Sequence, residues 1–148
     1  MKTFSNILVA VDFSENSEHA FDYAVTLASQ FNAELTVLHV INEPVDLRGF
    51  YVPHISFEQL EKEIEESAVK MMERFCSSRM GAFTNFRTAI VTGIPYDEII
   101  TAAARMDASL IVLGTHGRTG LDRILFGSTA ERVVRSAPCP VLSVRMPA

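Results

Sequence analysis

The residues with the types and spacing to do chemistry lie in one stretch. Gly114-Thr115-His116-Gly117-Arg118-Thr119-Gly120 follows the unbroken apolar run Leu110-Ile111-Val112-Leu113, and Gly127-Ser128-Thr129-Ala130-Glu131 follows Leu121 to Phe126. Glycines carry no Cβ, so the backbone here can bend back and approach a bulky ligand. Ser128 and Glu131 read as a capping box that opens a helix after Gly127, with its free N–H groups turned toward the loop. Amides of a glycine-rich turn beside a helix N-terminus form an anion site, so a phosphate-bearing ligand is expected. His116 reads as a loop residue, because no nucleophile is recognisably paired with it. Lys2, Lys62 and Lys70 are the only lysines and none follows a glycine loop. A Walker A site, whose lysine reaches the β- and γ-phosphates, is therefore excluded. Arg118 and Arg123 could reach phosphate or equally pair with surface carboxylates.

Such a loop needs elements on either side to hold it. Leu110 to Leu113 has the pattern of a strand buried on both faces of a parallel sheet, and Ile7 to Val11, ending in Asp12, has the same pattern. Leu35 to Ile41 is a further interior strand, with Thr36 and His39 its only polar members. Between those two, Ser14 or Ser17 caps a helix whose Ala20, Ala24, Leu27 or Ala28, and Phe31 recur at helical spacing and which stops near Asn32. Asn42 to Ile55 contains Pro44, Gly49 and Pro53, lacks periodicity and reads as a long connection. Ser56 with Gln59 makes a second capping box. Phe57, Leu60, Ile64, Ala68, Met71 and Phe75 then trace one face of a long helix whose acidic run, Glu58 to Glu66, is solvated. Phe86 to Val91 is more polar, as an edge strand is. After Gly93, Pro95 suits a first helical turn, with Ile99, Ile100 and Ala103 inward. Val141 to Arg145 alternates in polarity and reads as the last strand, again at an edge.

The bulk properties narrow the class. A chain of 148 residues is expected to form one domain, residues 1–148, with a core that needs no staples. Hydrophobic residues make up 48% of it, yet no run approaches the roughly 20 apolar residues of a membrane helix. The first residues enter a strand with no signal-peptide pattern, so a cytoplasmic protein is expected. Cys76 and Cys139 are too few for a disulfide framework or a zinc site, which fits a reducing compartment. His19 and His54 show no metal spacing, and His39 reads as a structural histidine in its strand. A net charge of -5 without a basic cluster argues against a nucleic-acid surface.

Five strands alternating with four helices imply a parallel sheet with helices on both faces. The apolar second strand and polar third strand favour the order 3-2-1-4-5 over 2-1-3-4-5. In that order the ligand crevice opens between strands one and four, where Asp12 would face the Gly114 loop. Topology and motif thus converge on one loop.

Gly114-x2-Gly117-x9-Gly127-Ser128 resembles the nucleotide motif of the ATP-binding branch of the universal stress protein family. Ala130-Glu131-Arg132-Val133-Val134-Arg135 followed by Cys139-Pro140-Val141 resembles that family's ending, and the agreement runs from Ile7 to Arg145. The resemblance implies a Rossmann-like fold of the adenine nucleotide alpha hydrolase type in the same strand order. It implies that Asp12 contacts the ribose hydroxyls, that the Val40 backbone pairs with the adenine edge beside Ala10, and that Gly114, Gly117, Gly127 and Ser128 hold phosphate, with Thr115, His116, Arg118 and Thr129 adjoining. It implies a homodimer through Val141 to Arg145. ATP is the expected ligand, with AMP and cyclic AMP open, and a divalent cation such as Mg would ride on the phosphates because no carboxylate cluster could hold one alone.

Three functions compete. The first is an ATP-binding regulatory or stress-response protein acting through a protein partner whose identity the residues do not specify. The second is a slow ATP hydrolase or a phosphoryl or adenylyl transferase using the same site. Against it stand the missing Walker lysine, the lack of a general base, and Asp12-Phe13-Ser14-Glu15 in place of the serine-glycine-glycine loop of the resembling ATP pyrophosphatases. The third is a structural module without nucleotide, which the intact glycine spacing disfavours.

Overall fold

The structure, a computed structural model, describes residues 1–42, 57–116 and 127–147. Its elements are β1 (Asn6–Ala10), α1 (Glu15–Phe31), β2 (Glu34–Asn42), α2 (Phe57–Arg79), β3 (Phe86–Gly93), α3 (Pro95–Arg105), β4 (Leu110–Gly114), α4 (Ser128–Ser136) and β5 (Val141–Val144). The five strands pair in parallel in the order β3-β2-β1-β4-β5. Val9 of β1 lies opposite Val37 of β2 and Val112 of β4, so the centre of the sheet is aliphatic in register.

Successive strand residues face opposite sides, and both sides are covered. Ile7, Val9, Leu35, Val37 and Val112 pack on one face with Ala20, Phe21 and Ala24 of α1 and Met72, Phe75 and Cys76 of α2. Leu8, Leu38, Ile111 and Leu113 pack on the other with Ile99 and Ala103 of α3 and Ala130 and Val133 of α4. Phe21 is fully buried, a burial that stabilises by up to about 3 kcal/mol. At nine residues, α4 is too short to persist alone. Ala130 and Val133 hold it to the sheet.

Two expected helix faces shift. In α1 the cap is Ser14, whose side chain accepts from the Ser17 N–H, and Asn32 ends the helix in the left-handed conformation. The inward side of α1 comprises Asn16, Ser17, Ala20, Phe21, Ala24 and Ala28, while Phe31 is exposed and meets Phe4 edge-on at 5.1 Å. In α2 Met71 is 43% exposed and Met72 only 2%. The inward stripe is Ala68, Met72, Phe75 and Cys76: a step of four from Ala68, rather than three, carries it on toward Cys76. The Ser56 cap and most of the Asn42 to Ile55 connection fall outside the described residues. Arg79 pairs with Glu18 at 2.7 Å and Asp22 at 3.5 Å and so ties α2 to α1.

Candidate functional site

The site begins where β1 ends. One Asp12 carboxylate oxygen, Oδ1, accepts from the Ser14 N–H at 3.0 Å and the Ser14 hydroxyl at 2.5 Å. The Asp12 N–H donates to Ser17 Oγ at 3.2 Å. Asp12 therefore fixes the turn into α1 as well as forming a wall of the site. Between them Phe13 has φ of 67°, a left-handed conformation that costs a residue with a Cβ about 1–2 kcal/mol. Its ring packs 4.4 Å from the His39 ring and 5.6 Å from Phe75, contacts that offset the strain. His39 is buried with Nδ1 2.8 Å from the Val11 carbonyl. That is the structural role expected of it.

The facing wall follows β4. The Thr115 N–H donates to the Val144 carbonyl at 3.0 Å, and the Thr115 carbonyl accepts from the Gly127 N–H at 2.6 Å. Thr115 Oγ1 lies 3.0 Å from His116 Nδ1. The His116 N–H donates to Asn16 Oδ1 at 3.1 Å. A Cβ on Gly114 would stand 1.8 Å from that same oxygen. A side chain at 114 would therefore displace the Asn16 carboxamide.

The capping box expected of Ser128 and Glu131 is not formed. Gly127 is the N-cap, with φ of -67° and ψ of 162° and no side-chain cap, and Ser128 is the first helical residue. Because Gly127 already has the extended cap conformation and its N–H is held by Thr115, the helix starts one residue earlier than a Ser128 cap requires. Glu131 pairs instead with Arg135 at 3.0 Å. The first intrahelical bond runs from the Glu131 N–H to the Gly127 carbonyl at 3.0 Å. The N–H groups of Ser128, Thr129 and Ala130 precede it and have no carbonyl one turn back within the helix. They give this end its positive character.

A cavity of about 390 Å³ opens at the carboxyl ends of β1, β2 and β4, within the ~300–1,000 Å³ of small-molecule sites. Ala10, Leu38, Val40 and Leu113 line it from the sheet, and Pro95 and Ile99 from α3. Gly114, Thr115, His116, Gly127, Ser128 and Thr129 form its polar end, with Asp12 and Ser17 on the wall between. Of the residues the sequence pointed to, Ala10, Asp12, Val40, Gly114, Thr115, His116, Gly127, Ser128 and Thr129 meet here. Gly117 and Arg118, like Arg123, lie outside the described residues. Sequence reasoning missed Asn16, Asn42 and the α3 wall. Asn16 had a signal, since it stands one turn before Ala20 on the buried stripe. Arg132 of α4 lies over the Tyr96 ring of α3 at 4.7 Å and joins the helices flanking the cavity. Among the described residues no group of three or more His, Cys, Asp or Glu could hold a metal, and no helix is long and apolar enough to cross a membrane.

A doubly wound parallel sheet with a cleft where its strand order reverses, aliphatic at one end and amide-rich at the other, defines the class of α/β domains that take a small ligand at the switch point. The model of the universal stress protein family matches residues 3–145, and the chain belongs to that family. It is 35% identical over 147 residues to the universal stress protein YxiE of Bacillus subtilis, covering 96% of this chain and 99% of that one. Among solved structures, the universal stress protein UspA from Lactobacillus plantarum has a TM-score of 0.76 at 32% identity, covering 98% of this chain and all of that one. The hypothetical protein MJ0577 has a TM-score of 0.85 at 30% identity over 99% of both chains. Universal stress proteins in complex with cAMP and, from Archaeoglobus fulgidus, with dAMP share the fold at 22% and 24% identity.

Proposed function

We propose that this universal stress protein binds ATP in the β1–β4 cleft and acts as a nucleotide-dependent regulatory or stress-response module in the cytoplasm. One observation carries the proposal: a single cavity places an aliphatic compartment, a carboxylate wall and a helix N-terminus in the sequence that base, ribose and phosphate require. The base would lie between Val40 and Ile99, the ribose hydroxyls would donate to Asp12, and the phosphates would meet the Ser128, Thr129 and Ala130 amides and the hydroxyls of Ser128 and Thr129. A divalent cation would be held mainly by the phosphates. Slow hydrolysis or group transfer is the weaker reading: the Thr115 hydroxyl and the His116 ring pair at 3.0 Å at the polar end, but no lysine follows the glycine loop to reach the phosphates.

Denaturing freshly purified protein and identifying released small molecules by mass spectrometry, followed by calorimetry of the stripped protein with ATP, tests this. Release of an adenine nucleotide and saturable ATP binding are expected. Neither signal, from protein whose folding is verified by circular dichroism, would refute the proposal.

A further inference from the structure

One side chain joins the two walls of the cavity. Asn16 lies in the first turn of α1, next to Ser17, which belongs to the Asp12 wall, and its own Oδ1 reaches the opposite wall to accept the His116 N–H at 3.1 Å. Asn16 is 8% exposed and sits on the helix face that goes on to Ala20, Ala24 and Ala28, each fully buried. A polar group there is costly unless it is satisfied. The His116 N–H also needs it: sheet pairing ends one residue earlier, where the Thr115 N–H meets Val144. The fit extends to the missing side chain at Gly114, whose Cβ would lie 1.8 Å from Asn16 Oδ1 and 2.8 Å from Cγ, but 3.2 Å from the Asn16 carbonyl oxygen.

We propose that Asn16 is a positioning residue: its carboxamide sets the separation of the Asp12 wall from the Gly114–His116 wall, and position 114 is glycine in order to receive it. The functional consequence rests on reading the cleft as a nucleotide site; the interlock does not. Losing the carboxamide frees the start of the glycine loop from α1 while leaving the core stripe intact. A methyl added at 114 expels the carboxamide, and truncating Asn16 removes both of its closest obstacles.

The test uses the full chain as Asn16→Ala, Asn16→Asp, Gly114→Ala and the double variant Asn16→Ala with Gly114→Ala. Hydrogen exchange by NMR should show the His116 amide exchanging roughly tenfold faster in Asn16→Ala, the equivalent of one lost hydrogen bond. Protection should return in Asn16→Asp, which keeps the acceptor. Gly114→Ala should melt well below the parent, and the double variant above Gly114→Ala. If Gly114→Ala does not fold, a folded double variant is the supporting result, and failure of both overturns the interlock. Unchanged His116 protection in Asn16→Ala, or a double variant no more stable than Gly114→Ala, also overturns it. Calorimetry with ATP adds the second arm, in which Asn16→Ala should bind roughly tenfold more weakly. Equal affinity despite faster exchange would refute the positioning role. A parent protein that binds no ATP would defeat the nucleotide reading while the exchange and suppression results still decide the interlock.

Discussion

Asp12 combines two tasks that a pair of substitutions can separate. Asp12→Ala removes the acceptor of both Ser14 bonds, at 3.0 and 2.5 Å, along with the carboxylate on the cavity wall. Hydrogen bonds to a charged group contribute about 1.5–3 kcal/mol, and this half-buried turn belongs toward the lower end, about 2 kcal/mol. For a chain of this size that lowers the melting temperature by roughly 4–8 °C. Asp12→Asn keeps an oxygen for the Ser14 N–H and should lose roughly 2–4 °C. Against ATP, the loss of the ribose bonds in Asp12→Ala, again about 1.5–3 kcal/mol, corresponds to roughly tenfold to 150-fold weaker binding. Asp12→Asn should fall between that and the parent. Titration calorimetry with 2',3'-dideoxy-ATP supplies the control, because a ligand without hydroxyls has nothing to lose at this carboxylate. Equal loss of affinity for ATP and its dideoxy analogue would remove Asp12 from the ribose site and leave it as a turn residue.

The left-handed φ of Phe13 makes Phe13→Gly more stable than Phe13→Ala by about 1 kcal/mol in urea denaturation, the reverse of the usual order; Ala equal to or better than Gly would contradict the strain. Gly127→Val keeps the N–H bonded to Thr115 and takes a conformation open to any residue, so the melting temperature should stay within about 2 °C while ATP binding is lost through the crowded phosphate end; retained affinity would move the phosphates elsewhere. We propose a twofold dimer through β5, which pairs with no strand but β4 among the described residues. Pro140 and Val144 carbonyls accept from β4, so by alternation Ser143 points outward. Ser143→Pro should convert a sedimenting dimer to monomer at micromolar concentration, and a parent that is itself monomeric with and without ATP rules the dimer out. Burial raises the Cys76 and Cys139 thiol pKa above the ordinary value. Thiols held neutral in the fold favour it below their unfolded pKa, so that stability should decline as pH rises from that value through the raised one; Cys76→Ala and Cys76→Ser, which both lack the thiol, should each flatten that decline relative to the parent, and an unchanged slope in both would refute the assignment.

The sheet was legible because its central strands are buried on both faces and therefore carry unbroken apolar runs, and because the polar residues of β3 mark an edge. The crevice followed from the strand order. Helix faces were less legible: Met71 and Met72 are equally apolar, and only the packing of α2 on the sheet and α1 decides between them. The start of α4 was misplaced because Ser128 and Glu131 satisfy a local capping rule, whereas the bond between Gly127 and Thr115 that fixes the helix start is a tertiary contact. Asn16 escaped notice for the same reason. Its partner is His116, and neither residue type announces a contact across 100 positions of chain.

The 2.6 Å bond from the Gly127 N–H to the Thr115 carbonyl has a consequence for how this protein can be altered. It fastens together the exit from β4 and the entry to α4, so a displacement of either end is carried to the other. Because both partners are backbone atoms, a side-chain substitution at Thr115 or Gly127 leaves the acceptor and the donor in place, and only proline at 127 removes the donor.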